Sequence, residues 1–137
     1  MMISTKGRYA LHVMLDIAMQ SQEEYISLKA ISERQAISMK YLEAIVSNLS
    51  KAGMLESQRG KSGGYRLNKP ANAYRVGDIV RTAEGGLSPV SCLEETKGGC
   101  ERAGECLMFP MWQQLERIVG DYLDSVSLED LLRQEIK

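Results

Sequence analysis

No stretch of the 137-residue sequence stays apolar for the ~18 residues that a membrane-spanning helix needs, so no membrane span is expected. Met1 to Tyr9 carries Lys6 and Arg8 but leads into no uninterrupted apolar segment and no small-residue cleavage site, which argues against a signal peptide. A cytoplasmic, reducing location is the resulting expectation, and there cysteines serve more often as ligands or reactive thiols than as bridges. The three cysteines are an odd number, which excludes a complete set of intramolecular disulfides. Histidine occurs once, at His12. No general base stands near the cysteines in the sequence and nothing marks a substrate pocket, so a redox enzyme with catalytic cysteines is not favoured. Internal repeats and low-complexity tracts are also missing.

What is present suffices for one domain with an appended element. Apolar residues make up 44% of the chain, enough for a real core. The net charge of −1 hides an asymmetry. Residues 1–69 carry ten Lys/Arg and six Asp/Glu, whereas residues 70–137 carry seven and twelve. A basic front half and an acidic rear half suit a protein that turns only its front to a polyanion, although chance clustering on a solvated surface would look the same.

Ser4 or Thr5 can cap a first helix, in which Tyr9, Leu11, Val13, Met14, Ile17 and Ala18 recur at mostly helical spacing. Ser27 caps a short second helix with Leu28, Ala30 and Ile31 inward, and Gln35-Ala36-Ile37 leaves room only for a turn. Ser38 caps a third helix with Met39, Leu42, Ile45, Val46, Leu49 and Ala52 in one stripe, and Gly53 sits where a left-handed cap belongs. Its other face shows Lys40, Tyr41, Glu43, Ala44, Ser47 and Asn48. Two short helices joined by a three-residue turn predict a helix-turn-helix. Met54–Arg59 and Tyr65–Leu67 read as strands around a Gly60–Gly64 turn, which makes a wing, and Tyr74–Glu84 reads as a fourth helix with Val76, Ile79, Val80 and Ala83 on one face. Residues 87–106 form a loop with all three cysteines. Pro110 opens a long helix striped by Met108, Trp112, Leu115, Ile118, Val119, Tyr122 and Val126, and Ser127 caps a last short one. The expected fold is mainly α with a small β-hairpin. Residues 1–86 form a winged helix-turn-helix, 87–106 a cysteine loop, and 107–137 a dimerisation helix with a C-terminal helix.

Candidate DNA contacts come from two places. The start of the third helix, with Ser38, Lys40, Tyr41 and Glu43, is the part that enters a major groove. Lys40 and Tyr41 suit phosphate or guanine. A carboxylate near phosphate is costly unless it accepts from a cytosine amino group, and the alternative for Glu43 is a surface pair with Lys40. On the wing, Arg59 and Lys61 flank a glycine turn that fits a narrow A·T minor groove, and Gly63 and Gly64 allow positive φ and close backbone approach. Gly60-Lys61-Ser62 also imitates the end of a phosphate-binding loop. That motif needs a glycine where Leu55 stands and a helix afterwards, so nucleotide binding is rejected. The near-heptad stripe on the long helix is better covered by a second copy than by folding back, and a homodimer matches palindromic duplex DNA. Cys92, Cys100 and Cys106, spaced C-x7-C-x5-C, leave three readings: zinc, an iron–sulfur cluster, each with one outside ligand, or reactive thiols that bind nothing.

Met2-Ile3-Ser4-Thr5-Lys6-Gly7-Arg8-Tyr9-Ala10, Ser38-Met39-Lys40-Tyr41-Leu42-Glu43 and Arg59-Gly60-Lys61-Ser62-Gly63-Gly64-Tyr65 resemble the IscR-type (Rrf-two) family of bacterial regulators over essentially the whole chain. The resemblance implies a dimeric winged-helix repressor or activator of iron–sulfur, cysteine or redox-response genes. It implies that Glu43 reads a base, that Arg59 enters a minor groove, and that Cys92, Cys100 and Cys106 hold a cluster, 2Fe–2S rather than 4Fe–4S. The alternative it leaves is the same DNA-binding repressor without a cluster, governed by a protein partner or by thiol oxidation. In the iron–sulfur branch a histidine follows the third cysteine by three residues, and here that position is Phe109. Leu87-Ser88-Pro89-Val90 and Ser127-Leu128-Glu129-Asp130-Leu131 look instead like the cysteine-metabolism branch, which lacks the cysteines. The chain is intermediate between the two. Some family members take an outside ligand from the partner's first helix, which makes His12 a candidate fourth ligand, with a surface or DNA-facing histidine as its plainer role. Glu101, Glu105 or water are the remaining candidates.

Overall fold

The computed structural model describes residues 3–20, 22–90, 93 and 104–136. Helix α1 (Thr5–Met19) starts at Ser4, whose hydroxyl accepts from the Lys6 N–H, so of the two candidate caps Ser4 is the one used. Helix α2 (Leu28–Gln35) is capped by Ser27, and helix α3 (Met39–Lys51) by Ser38, which accepts from the Tyr41 N–H. The turn between them is made by Ala36 in the left-handed region (φ 54°), with Ile37 buried behind it. A left-handed alanine is unusual. Here the Ser32 hydroxyl donates to the Ile37 carbonyl at 2.6 Å and holds the corner.

Strands β1 (Leu55–Gln58) and β2 (Gly64–Leu67) pair antiparallel, Leu55 opposite Leu67 and Gln58 opposite Gly64. Leu55 and Leu67 are buried and anchor the base of the hairpin. Ile26, just before α2, adds a third short rung by exchanging two 2.8 Å backbone bonds with Tyr65. A 3-10 turn (Ala71–Ala73) leads to helix α4 (Val76–Glu84), which starts two residues later than its periodicity predicts. Tyr74 lies outside it, buried. Its hydroxyl donates within reach of the Met54 carbonyl and the Asn68 amide oxygen, and burial pushes the phenol pKa up. Helix α5 (Phe109–Asp124) and helix α6 (Leu128–Leu132) follow, the latter behind a Ser127/Asp130 capping box.

The main core lies among α1, α2, α3, α4 and the base of the hairpin, with Val13, Met14, Ile31, Leu42, Val46 and Ile79 fully buried. Met39 and Ala52, expected in the α3 stripe, lie on the surface at the helix ends. Leu128, at the start of α6, belongs to the main core as well, so part of the segment 107–137 completes the winged helix rather than standing apart from it. Backbone bonds from Val76 N–H to Val126 and from Leu128 N–H to Tyr74 fix that return. Val126 is therefore buried beyond the end of α5 and does not continue its stripe.

Among the described residues one charged group sits inside. Asp16 is 2% exposed and accepts from Arg34 (Nη2 2.7 Å, Nε 3.0 Å) and from the Gln35 amide at 2.9 Å, clasping α1 to α2. Glu84 makes a second tie, from α4 to the start of α1. It accepts from the Ser4 hydroxyl at 2.6 Å and the Gly7 N–H at 2.7 Å. Burial raises its pKa, but these bonds, the Ser4 backbone and the nearby charge of Lys6 together outweigh burial and hold the carboxyl below its ordinary value.

Candidate nucleic-acid interface

The α2–turn–α3 unit presents Ser38, Lys40 and Glu43 to solvent on the exposed side of α3. Glu43 forms no ion pair or hydrogen bond among the described residues, and neither does Lys40, so the surface pairing of the two is not made. An unpartnered carboxylate on this face keeps both oxygens free to accept. Ser38 spends an oxygen lone pair on its cap, which leaves the O–H free to donate. Tyr41 is placed differently. It is half-buried, with its ring edge-on to Tyr9 at 5.4 Å between centroids, so its ring is part of the α1–α3 contact.

On the hairpin, Arg59 and Lys61 are exposed and form no ion pairs among the described residues, whereas Arg66 on β2 is tied to Glu56 at 2.8 Å and stacks over Tyr25. The tip thus carries two uncommitted cations and the base none. Gly63 and Gly64 make the close backbone approaches expected of them, to their own chain, and Gly64 also has the expected positive φ. Gly63 is not at positive φ, and a methyl on it would overlap the Gln58 carbonyl oxygen across the turn. A methyl on Gly64 (φ 153°) would overlap the Ile26 carbonyl oxygen. Both glycines close the wing on its own chain, and the positive φ values fall on Gly60 (φ 106°) and Gly64.

Among the described residues, the polar fastening of helix α5 lies at its C-terminal end. Arg81 donates to both oxygens of Asp124 (2.7 and 2.9 Å), and that hydrogen-bonded pairing holds the Asp124 carboxyl below its ordinary pKa. Gly77 and Gly120 make room for the clasp, because a methyl on Gly77 would overlap the Asp124 carboxylate. Leu123 packs beside Val76, Val80, Leu87 and Val126. Along its outer face, from the N-cap to near its C-terminus, α5 exposes Met108 (55%), Met111 (53%), Leu115 (37%), Ile118 (55%) and Tyr122 (48%). These recur at steps of three and four, a heptad seam of about 21 Å. Met111 belongs to it although the stripe read from the sequence omitted it, and Trp112 and Val119 are half-buried.

Cys106, just before α5, is a free thiol and partly exposed. Cys92, Cys100 and Glu101 lie outside the described residues. Among the described residues no three His, Cys, Asp or Glu side chains gather as a metal site. Three thiols confined to fifteen residues are nonetheless a soft donor set of the kind that iron–sulfur clusters use. His12 is exposed on α1, 6.5 Å from the Tyr9 ring between centroids.

Among the described residues, no helix is long and apolar enough to cross a membrane. Residues 3–134 match the model of the Rrf2 family, described as an iron-dependent transcriptional regulator. The chain is 41% identical to an HTH-type transcriptional regulator of Neisseria meningitidis over 98% of its length and 90% of the relative's. Two solved structures from the two branches named above are similar. CymR, the global cysteine regulator of B. subtilis, is 41% identical with a TM-score of 0.70, covering 94% of each chain. IscR of T. potens is 36% identical with a TM-score of 0.73, covering 97% of this chain and 87% of that one. The winged helix, the match to the family model and these relatives agree: the chain belongs to the Rrf2 family and is a DNA-binding transcriptional regulator rather than an enzyme.

Proposed function

We propose that the protein is a cytoplasmic homodimer that binds a palindromic promoter site and controls iron–sulfur, cysteine or redox-response genes. Residues 1–86 bind the duplex, the loop 87–106 senses, and the seam of α5 within 107–137 joins the two copies. The observation that carries the DNA-reading part is the set of uncommitted charges on one helix face and one wing tip: Lys40, Glu43, Arg59 and Lys61. Glu43 accepts from a cytosine amino group in the major groove, Ser38 and Lys40 hold phosphate, and Arg59 with Lys61 enters the minor groove beside it. Tyr41 adds its hydroxyl at the edge, and Gly63 and Gly64 give the wing the shape that aims Arg59.

Two substitutions separate reading from holding. Glu43→Ala should relax discrimination at one base pair per half-site by ~1–3 kcal/mol while leaving or strengthening non-specific binding. Arg59→Ala should weaken binding and blunt the preference for A·T pairs under the wing. Randomised-site selection measures both, and an unaltered base preference in Glu43→Ala sinks the direct-readout role.

The sensing group is a 2Fe–2S cluster held by Cys92, Cys100 and Cys106, with His12 of the second copy as fourth ligand. Phe109 cannot donate, and His12 is the sole histidine and is exposed. A bound cluster would supply a redox- or ligand-responsive charge beside the start of α5. Anaerobic purification should give a coloured protein. Cys92→Ala should bleach it, and His12→Ala should shift its bands, since nitrogen in place of sulfur raises a cluster's potential. A His12→Ala spectrum identical to wild type moves the fourth ligand to Glu101, Glu105 or water. The similarity to CymR and the Phe109 position favour a second reading, in which the protein is colourless and a protein partner or oxidation of the thiols sets DNA affinity.

A further inference from the structure

Between α1, α3 and α4 lies a cleft of about 270 Å³. Its floor is Ala10, Ile45 and Leu49, all buried, and its sides include Ala44 and Ala83. Three alanines from three different helices face one space that larger residues would fill. Lys6 supplies the only formal charge in the wall, is exposed, and forms no ion pair among the described residues. The nearby carboxylate of Glu84 is hydrogen-bonded to Ser4 and Gly7 and is close enough to feel the Lys6 charge without forming an ion pair with it. Asn48, also in the wall, spends its amide on the Thr82 carbonyl at 2.8 Å. The space holds about nine waters by volume, near the small end of ligand pockets.

We propose that this cleft is a binding site for a small amphipathic anion, with a compact apolar body on the alanine floor and one carboxylate-type group at Lys6. An apolar cleft with a single cation in its wall selects that class over polar or cationic solutes. Tyr41 and Ala44 lie both in the cleft wall and on the face of α3 turned to DNA, so an occupant competes with the duplex. That consequence rests on the DNA-reading assignment above, whereas occupancy itself does not.

Benzoate is the probe, with benzyl alcohol and benzylamine as neutral and cationic controls of the same body. Methyl NMR of the full-length protein without DNA should show saturable shifts at Ala10, Ala44 and Ala83 with benzoate. The controls should bind about two- to fivefold more weakly, the worth of one exposed ion pair. Lys6→Gln should bring benzoate to the level of benzyl alcohol and leave benzyl alcohol unchanged. Ala83→Leu, verified as folded by its thermal melt, should abolish the shifts. Benzoate should then lower the affinity of wild type for its DNA site and not that of Ala83→Leu. No saturable shifts at millimolar benzoate, or shifts that ignore both substitutions, overturn the site. Shifts without any effect on DNA binding keep the site and overturn the competition.

Discussion

Leu115→Asp is expected to make the protein a monomer and to remove its binding to a palindromic site. Leu115 lies mid-way along the exposed seam of α5, and within one chain no core residue depends on it. Across a two-fold axis the same position faces its own copy, so one substitution places two carboxylates at the interface. Burying an unpaired carboxylate costs several kcal/mol, and each 1.4 kcal/mol is about tenfold in the association constant. Losing the second half-site also forfeits an avidity of about 10²–10⁴. Analytical ultracentrifugation and a palindrome-binding assay measure the two losses, and circular dichroism should be unchanged. A wild type that is already monomeric at micromolar concentration, or a variant that stays dimeric, refutes the seam.

Asp16→Ala should give the largest loss of stability among single substitutions outside the apolar core. The carboxylate receives Arg34 and Gln35 in a buried position, and its removal leaves those donors and a small void between α1 and α2. Breaking a fully buried pair costs about 3–5 kcal/mol. The Arg34 side chain is 40% exposed and can turn to water, so about 2–3 kcal/mol is the better figure. For a chain of this size that lowers the melting temperature by roughly 5–10 °C. DNA affinity should fall with it at temperatures well below the melt, because α2 sets the angle at which α3 is offered. A melting temperature within a degree of wild type would show that the clasp contributes nothing.

Local signals were readable and distant ones were not. Ser27, Ser38 and Ser127 cap their helices as their positions suggest, because capping is settled within three residues. The hairpin and the cations at its tip were legible for the same reason: a surface charge that needs no partner can be placed from its neighbours alone. Asp16 was missed because it reads as a polar interruption of the α1 stripe, and only Arg34, eighteen residues on, explains it. Leu128 was missed because a five-residue helix carries too little periodicity to show that it returns to the first core. Gly77 and Gly120 left the only trace of the Arg81–Asp124 clasp, as two small residues on helices that otherwise favour larger ones. Gly63 and Gly64 were legible as positions of close backbone approach, but not that the backbone approached is that of Gln58 and Ile26.

The clasp makes α5 a lever. Its sixteen residues are about 24 Å long and are tied near their end by the Arg81–Asp124 pair and by Leu123. A tilt of ~10° at that pivot carries the far tip through about 4 Å, more than the 3.4 Å rise of one base pair. In the dimer proposed above, two such levers paired along their seams would have the rotational phase between the two reading heads set at Arg81–Asp124, away from the side chains assigned to DNA. On that proposal, lengthening the side-chain pair, as in Asp124→Glu, is expected to retune the spacer preferred between half-sites while leaving each half-site sequence as it was.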